Sequence, residues 1–373
     1  MKKIISTILC LSLQVSIICI PVSATEEVVV SESIEEFCED VNEMINEYGG
    51  SEFVTPNFIL EEQTDENTDE ELEIDYLPRL IVQSDKPINT YNAIDVVNGF
   101  SNFYIVQFEN EQDTNFAHEQ YINNPDIISV EYDISYNAFT YTTGNNTKKN
   151  TEFTFEDYEN GWYLNGTGLD YILNKYKKRE LPEVVIAVID TGVDLNNEYI
   201  SDRIIPTKFN NSGEDDQASE QDFYGHGTMI TSLIKNCTTE NVKVANFRCG
   251  TSSGRITPTA ACTAILSAVN FGVEIINCSF TINNTFALVQ EAIDYAYKQS
   301  CALFAAAGNN TGDLELFSSP LTTSVICVGS SNKYYAPSSF TAWGKYCDIL
   351  APGEDMPLFD LNKEIVSTKG DTP

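Results

Sequence analysis

The rhythm of apolar and polar positions changes several times along the 373-residue chain. A first apolar stretch, Ile4 to Ile20, follows Lys2 and Lys3 and ends at Val22-Ser23-Ala24. A charged start, an apolar middle and a small-residue end are the parts of a secretory signal over residues 1–24, and Gln14 within the apolar run favours cleavage over anchoring. Farther on, Arg79-Leu80-Ile81-Val82-Gln83, Phe103 to Phe108 and Ile127 to Tyr132 have the length and the β-branched or aromatic content of strands. Phe116, Gln120 and Tyr121 predict a helix over Gln112 to Asn124, which Pro125 stops. Strand, strand, helix, strand predicts a small α+β unit over 76–136. Residues 137–155, rich in Asn, Thr and Lys, predict an exposed linker.

From about residue 156 the pattern becomes strands alternating with helices. Val184 to Ile189 is an unbroken apolar run, as expected of a parallel strand buried on both faces. Similar runs are Val242–Phe247, Val273–Asn277, Ala302–Ala307 and Ser324–Val328. Between them, Thr259 to Phe271 predicts a helix that Gly272 ends, and Phe286, Val289, Ile293 and Ala296 mark one face of another. The prediction is a doubly wound, mostly parallel α/β sheet over 156–373, whose ligands gather at the carboxyl ends of the strands. The first strand is followed by no G-x-G-x-x-G and there is no Walker loop, which disfavours a nucleotide site.

Charge sharpens this division. The chain has 56 acids against 21 bases, a net charge of −35, which argues against nucleic-acid partners. Residues 26–75 alone hold 19 acids and no Lys or Arg, so 25–75 reads as a self-repelling, disordered acidic prosegment. After the signal, no window approaches the roughly 20 apolar residues of a membrane span, so the predicted location is secreted or associated with the cell envelope. Of the ten cysteines, seven fall between 237 and 347, without a CxxC pair and several inside apolar runs. They read as buried thiols rather than as a zinc site or a disulfide framework. His118 and His226 are the two histidines and lie in different units, so a metal hydrolase lacks ligands.

Three short segments carry candidate chemistry. Asp190, in Asp190-Thr191-Gly192-Val193-Asp194, ends the first apolar strand; Asp194 reads as a structural turn residue. His226, in Gly225-His226-Gly227-Thr228, precedes an apolar helix over Met229–Ile234, and is the one imidazole base the large unit offers. Asn309, in Ala305-Ala306-Ala307-Gly308-Asn309-Asn310, ends another strand, where a side-chain amide could donate to a developing oxyanion.

In that order on a doubly wound sheet, D-T-G-V-D, G-H-G-T and A-A-A-G-N resemble the subtilisin-like serine proteases, the subtilases. The resemblance runs from about Trp162 onward and takes in Ser338-Ser339-Phe340, Gly344 and Ile349-Leu350-Ala351-Pro352-Gly353. It implies that Asp190 orients His226, that His226 takes a proton from a serine, and that Asn309 stabilises the oxyanion. It also implies that Cys278, Ser279 and Phe280 border a polypeptide substrate, with Phe280-Thr281 a bulkier edge than the Leu-Gly usual in the family. Residues 76–136 would be an inhibitory propeptide. No cofactor is evident, and calcium is suggested by the resemblance alone. The family's G-T-S-x-A-x-P nucleophile motif is expected beyond Pro373. Gly250-Thr251-Ser252 looks similar but precedes Asn309, whereas the family's serine follows it, so Ser252 reads as a loop residue. The alternative reading is a non-catalytic, peptide-binding pseudoprotease.

Overall fold

The computed structural model describes residues 74–137, 159, 161–214, 220–280, 286–309, 324–344 and 347–367. The expected signal, nearly all of the acidic prosegment and the expected linker from residue 138 lie outside the described residues.

Strands β1 (Ile74–Gln83), β2 (Asp95–Asn98), β3 (Phe103–Gln107) and β4 (Ser129–Asn137), with helix α1 (Glu111–Ile122), form the smaller unit. Two short helices follow, α2 (Trp162–Thr167) and α3 (Leu169–Tyr176). The larger unit then runs β5 (Val184–Asp190), β6 (Ile204–Ile205), α4 (His226–Asn236), β7 (Val242–Arg248), β8 (Arg255–Ile256) and α5 (Pro258–Phe271). It continues through β9 (Ile275–Cys278), α6 (Ala287–Lys298), β10 (Ala302–Ala306), β11 (Val325–Ser331) and β12 (Ile349–Pro352). A last antiparallel pair joins β13 (Pro357–Phe359) to β14 (Ile365–Ser367).

The main sheet has seven parallel strands in the order β12-β11-β10-β9-β5-β7-β6. From β5 the chain builds outward through β6 and β7, then returns to β9 on the other flank. The order therefore reverses at β5, and the crevice at its carboxyl end is where such sheets bind ligands. The period of two along β5 divides the core. Ala187 and Ile189 face α5 and α6, together with Ala245, Phe247 and Ile276. Ile186 and Val188 face the other way, with Val244 and Ile234 of α4. Ala261, Ala264 and Ala268 of α5 and Ala292 and Ala296 of α6 are buried in the first of these cores, where small side chains allow close helix packing. Thr257 caps α5 by accepting from the Ala260 N–H at 3.1 Å, and Gly272 ends it with φ of 89°.

The smaller unit is not a separate bead. Its sheet, β2-β3-β1-β4, is extended by β8 of the larger unit, with Tyr136 beside Ile256 and Asn137 beside Arg255. Leu80, Val82, Val106 and Phe108 pack under α1 on Ala117 and Tyr121. The alternate residues Ile81, Phe103 and Ile134 join the core formed with α5 and α6. Asp133, fully buried, receives Arg79 Nε at 2.6 Å and accepts from the Thr259 N–H of α5. Glu131 accepts from the backbone of Ala287, the first residue of α6. Both carboxylates thus sit at positive helix ends.

Sequence patterning located the long strands and missed β2 and β6. Both are short and lack the buried alternation on which periodicity depends. Helix α4 begins at His226 rather than at Met229, because its first turn is fixed by hydrogen bonds and not by apolar contacts. Among the described residues, no helix is long and apolar enough to cross a membrane.

Candidate active site

Asp190 occupies the carboxyl end of β5 and is completely buried. Its Oδ1 and Oδ2 lie 2.8 and 3.0 Å from His226 Nδ1, and Oδ1 also accepts from the Thr191 N–H at 2.7 Å. A carboxylate acceptor at Nδ1 fixes the proton there, so the neutral ring presents Nε2 as its basic atom. The Asp190 carbonyl accepts from the N–H groups of Cys249 and Gly250 at 2.8 and 3.1 Å, which locks the strand end.

Two glycines permit the approach of these elements. A Cβ on Gly227 would stand 2.1 Å from the Gly192 carbonyl oxygen and 3.1 Å from Asp190 Cβ. Gly225, the residue before α4, has φ of 113°, in the left-handed region that favours glycine.

A second carboxylate, Asp222, organises the same corner, and the motif reading overlooked it. Asp222 is buried, and its Oδ1 accepts from Thr191 Oγ1 at 3.0 Å, the Tyr224 N–H at 3.0 Å and the Gly225 N–H at 2.7 Å. Its Oδ2 accepts from the Thr228 N–H at 2.9 Å and Thr228 Oγ1 at 2.8 Å. It therefore caps α4 from outside the helix and fixes the turn that delivers His226. The available signal was an Asp six residues before a Thr in the first turn of a helix, spacing too loose for the usual cap pattern. Asp194 accepts from the Asn196 N–H at 3.0 Å and closes a turn, and its own N–H donates to Thr228 Oγ1 at 3.0 Å.

These charges shift the acid–base groups. Burial pushes the Asp190 carboxyl up, while the charge and hydrogen bond of His226 pull it down; the net direction is upward, with Asp222 adding to it. For His226, burial disfavours the imidazolium, but the Asp190 charge and hydrogen bond, with Asp222, outweigh it and raise the value. The corner stabilises a proton on the imidazole, as a general base requires in its second role as acid.

Asn309 is exposed and lies just beyond β10. In the sheet β10 is two strands from β5, roughly 10 Å at the usual strand spacing. Its end is held by the Ala307 N–H donating to Val328 O at 2.8 Å and the Ala342 N–H donating to Gly308 O at 2.9 Å. Between the two lies β9, ending at Cys278. The side chains of Cys278 and Phe280 are 1% exposed and belong to the core. The Phe280 ring turns inward, where apolar burial stabilises it, in a core shared with Ile81, Phe103 and Ile134 of the smaller unit. Ser279 is half-buried, its hydroxyl accepting from Asn277 Nδ2 at 2.8 Å. Ser252 is exposed, and its N–H and hydroxyl both bond the Glu214 carboxylate, the hydroxyl at 2.6 Å. Among the described residues, no group of three His, Cys, Asp or Glu side chains could hold a metal ion.

A buried carboxylate–imidazole pair thus stands at the switch point of a parallel sheet, with an amide two strands away. The subtilase family matches residues 182–372, half of the chain. The chain belongs to the subtilase family. It is 29% identical over 180 residues to a thermophilic serine proteinase of Bacillus sp. (strain AK1), covering 46% of this chain and 44% of that one. It is 31% identical over 189 residues to subtilisin-like protease 1 of Trichophyton rubrum, covering 46% and 35%. Thermitase of Thermoactinomyces vulgaris is 27% identical over 179 residues, covering 45% and 62%. The chain thus spans less than two thirds of the length of these relatives. The solved structure of the epidermin leader peptide processing serine protease of Staphylococcus aureus shares the fold, with a TM-score of 0.56 at 20% identity, covering 79% of this chain and 84% of that one.

Proposed function

We propose that the chain is the zymogen of an exported subtilisin-like serine endopeptidase acting on polypeptides. The observation that carries this reading is the buried Asp190–His226 pair at the carboxyl end of β5. Asp190 holds the Nδ1 proton and balances the imidazolium; His226 Nε2 takes the proton of a serine hydroxyl as it attacks the scissile carbonyl, then returns it to the leaving amine. Asn309 donates to the oxyanion of the tetrahedral intermediate, an interaction worth about 10²–10³ in rate. The nucleophile this reading requires is the serine of a G-T-S-x-A-x-P motif. An incoming peptide would pair with the backbone beside Ser279 on one side and with the β8 edge on the other, its backbone hydrogen bonds supplying the grip.

Residues 76–136 act as the intramolecular inhibitor. The pairing of β4 with β8 supports this, because it sets Asn137 beside Arg255, next to Gly254, and Gly254 lies against the Tyr224 ring, two residues from His226. Occupation of that edge excludes a substrate strand. The signal-like first 24 residues support secretion.

The test is to read the coding DNA beyond codon 373 and to label the full gene product with a fluorophosphonate probe. An in-frame serine motif, with labelling abolished by His226→Ala, is the expected result. A stop codon at 374, with no labelling, would overturn it in favour of a peptide-binding pseudoprotease.

A further inference from the structure

Strands β11 and β12 bring two cysteines together at the flank of the sheet. The parallel pair sets Val328 beside Ile349. One residue earlier, the Asp348 N–H donates to Cys327 O at 3.0 Å, and the Cys327 N–H donates to Asp348 Oδ2 at 2.8 Å. Cys347 precedes Asp348 and lies just ahead of β12, donating its N–H to Gly344 O at 3.1 Å. Paired strands lie about 4.8 Å apart, so Cys347, the chain neighbour of Asp348, stands within reach of Cys327, and disulfides bridge Cα separations of about 4.4–6.8 Å.

The side chains converge as well. Cys327 and Gly329 share the buried face of β11, whose burial alternates along the strand. Cys347 Sγ lies 3.0 Å from where a Cβ on Gly329 would stand, so the missing side chain makes its space. Cys327 and Cys347 pack in one small apolar cluster with Ala307 and Ala342. We propose that Cys327 and Cys347 form a site of reversible disulfide modification, closed by a low-molecular-weight disulfide such as oxidised glutathione.

The unequal burial of the pair sets the order of events. Cys347 is half-buried and meets the oxidant first, while Cys327 is 3% exposed. The Cys347 thiolate attacks one sulfur of the small disulfide, forming a mixed disulfide and expelling a thiolate, which is protonated. The Cys327 thiolate then attacks the Cys347 sulfur and expels the second small thiolate. Two protein thiols are oxidised, one small disulfide is reduced to two thiols, and the two protons pass to the leaving groups. Burial pushes the Cys327 thiol up to about 12, helped by Cys347 and Asp348, and burial also raises Cys347. Closure is accordingly slow at neutral pH and speeds up as pH rises.

The bridge itself does not depend on the proposed peptidase activity, although its consequence does. Ala307 and Ala342 of the same cluster hold the strand end that presents Asn309. A bridge from 327 to 347 would stiffen the support of that amide.

The test treats the full chain with oxidised glutathione at rising pH, blocks remaining thiols with iodoacetamide, and maps peptides by mass spectrometry. The expected product is a Cys327–Cys347 linked peptide, two hydrogens lighter than the reduced pair and lost on reduction. Cys327→Ser should leave a persistent glutathione adduct on Cys347, and Cys347→Ser should leave Cys327 unmodified. Cys327→Ala serves as a second variant if serine disturbs the apolar cluster. A stable adduct on Cys347 in the unmodified sequence, a link to another cysteine, or full alkylation of both thiols would overturn the proposal.

Discussion

The two ends of the candidate site are built in opposite ways. At β5 and α4, Asp190, Asp222, Thr191 and Thr228 form a buried knot in which both oxygens of each carboxylate have partners and two backbones touch through Gly227. At β10, Asn309 stands exposed beyond a strand end held by two backbone bonds and a small cluster of alanines and cysteines. The contrast follows from the chemistry proposed for each. An imidazole must keep one tautomer and one orientation through two proton transfers, so its surroundings are over-determined. An amide donor needs only to lie where an oxyanion develops, and solvent exposure in the free protein costs it little.

Breaking the knot should have the largest effects. Asp190→Asn in the full gene product should lower kcat on a fluorogenic peptide by about 10⁴, because the wrong tautomer faces the nucleophile. Equal turnover in this variant would remove His226 from its assigned role. Gly227→Ala forces a Cβ into a carbonyl oxygen and should cost about 3 kcal/mol or more, read as a lower urea midpoint. Asn309→Ala, at the other end, should reduce kcat by about 10²–10³ while leaving the thermal midpoint nearly unchanged. A matching fall in stability would show that the β10 end is as tightly built as the knot.

Smaller effects sharpen the comparison. Asp222→Asn turns an amide toward donors that expect a carboxylate and should cost about 2 kcal/mol. It should also lower the His226 value, since Asp222 helps to raise it, and an imidazole NMR titration reads this directly. The smallest effect is the pH dependence of the pair. His226 is raised on folding, so its contribution to stability is complete below the unfolded value of about 6.5 and is lost as pH rises through the folded one. Activity, which needs the neutral base, should rise over the same interval. Stability curves that are flat across it would mean that Asp190 does not hold the charge.

Much of this was legible without coordinates. Asp190, His226 and Asn309 stand at strand and helix ends that apolar runs locate, and motif order gave them a common purpose. Asp222 was not legible, because it works through five hydrogen bonds to residues on either side, a convergence that spacing does not encode. The burial of the Phe280 ring was not legible either, because periodicity is silent just past a strand end, where the chain can turn either way. The short edge strand β2 escaped for a related reason, since three of its four residues are exposed and carry no burial pattern.

Local pattern thus determined the long parallel strands and the residues available for acid–base work, because those depend on runs and periods within a few residues. Tertiary structure decided which strands are neighbours. The reversal of order at β5 puts Asp190 at the crevice, β8 takes β4 as its partner, and β12 brings Cys347 to Cys327. Each of these joins segments distant in sequence, and the burial of both faces of one sheet selects among such pairings, which no single segment specifies.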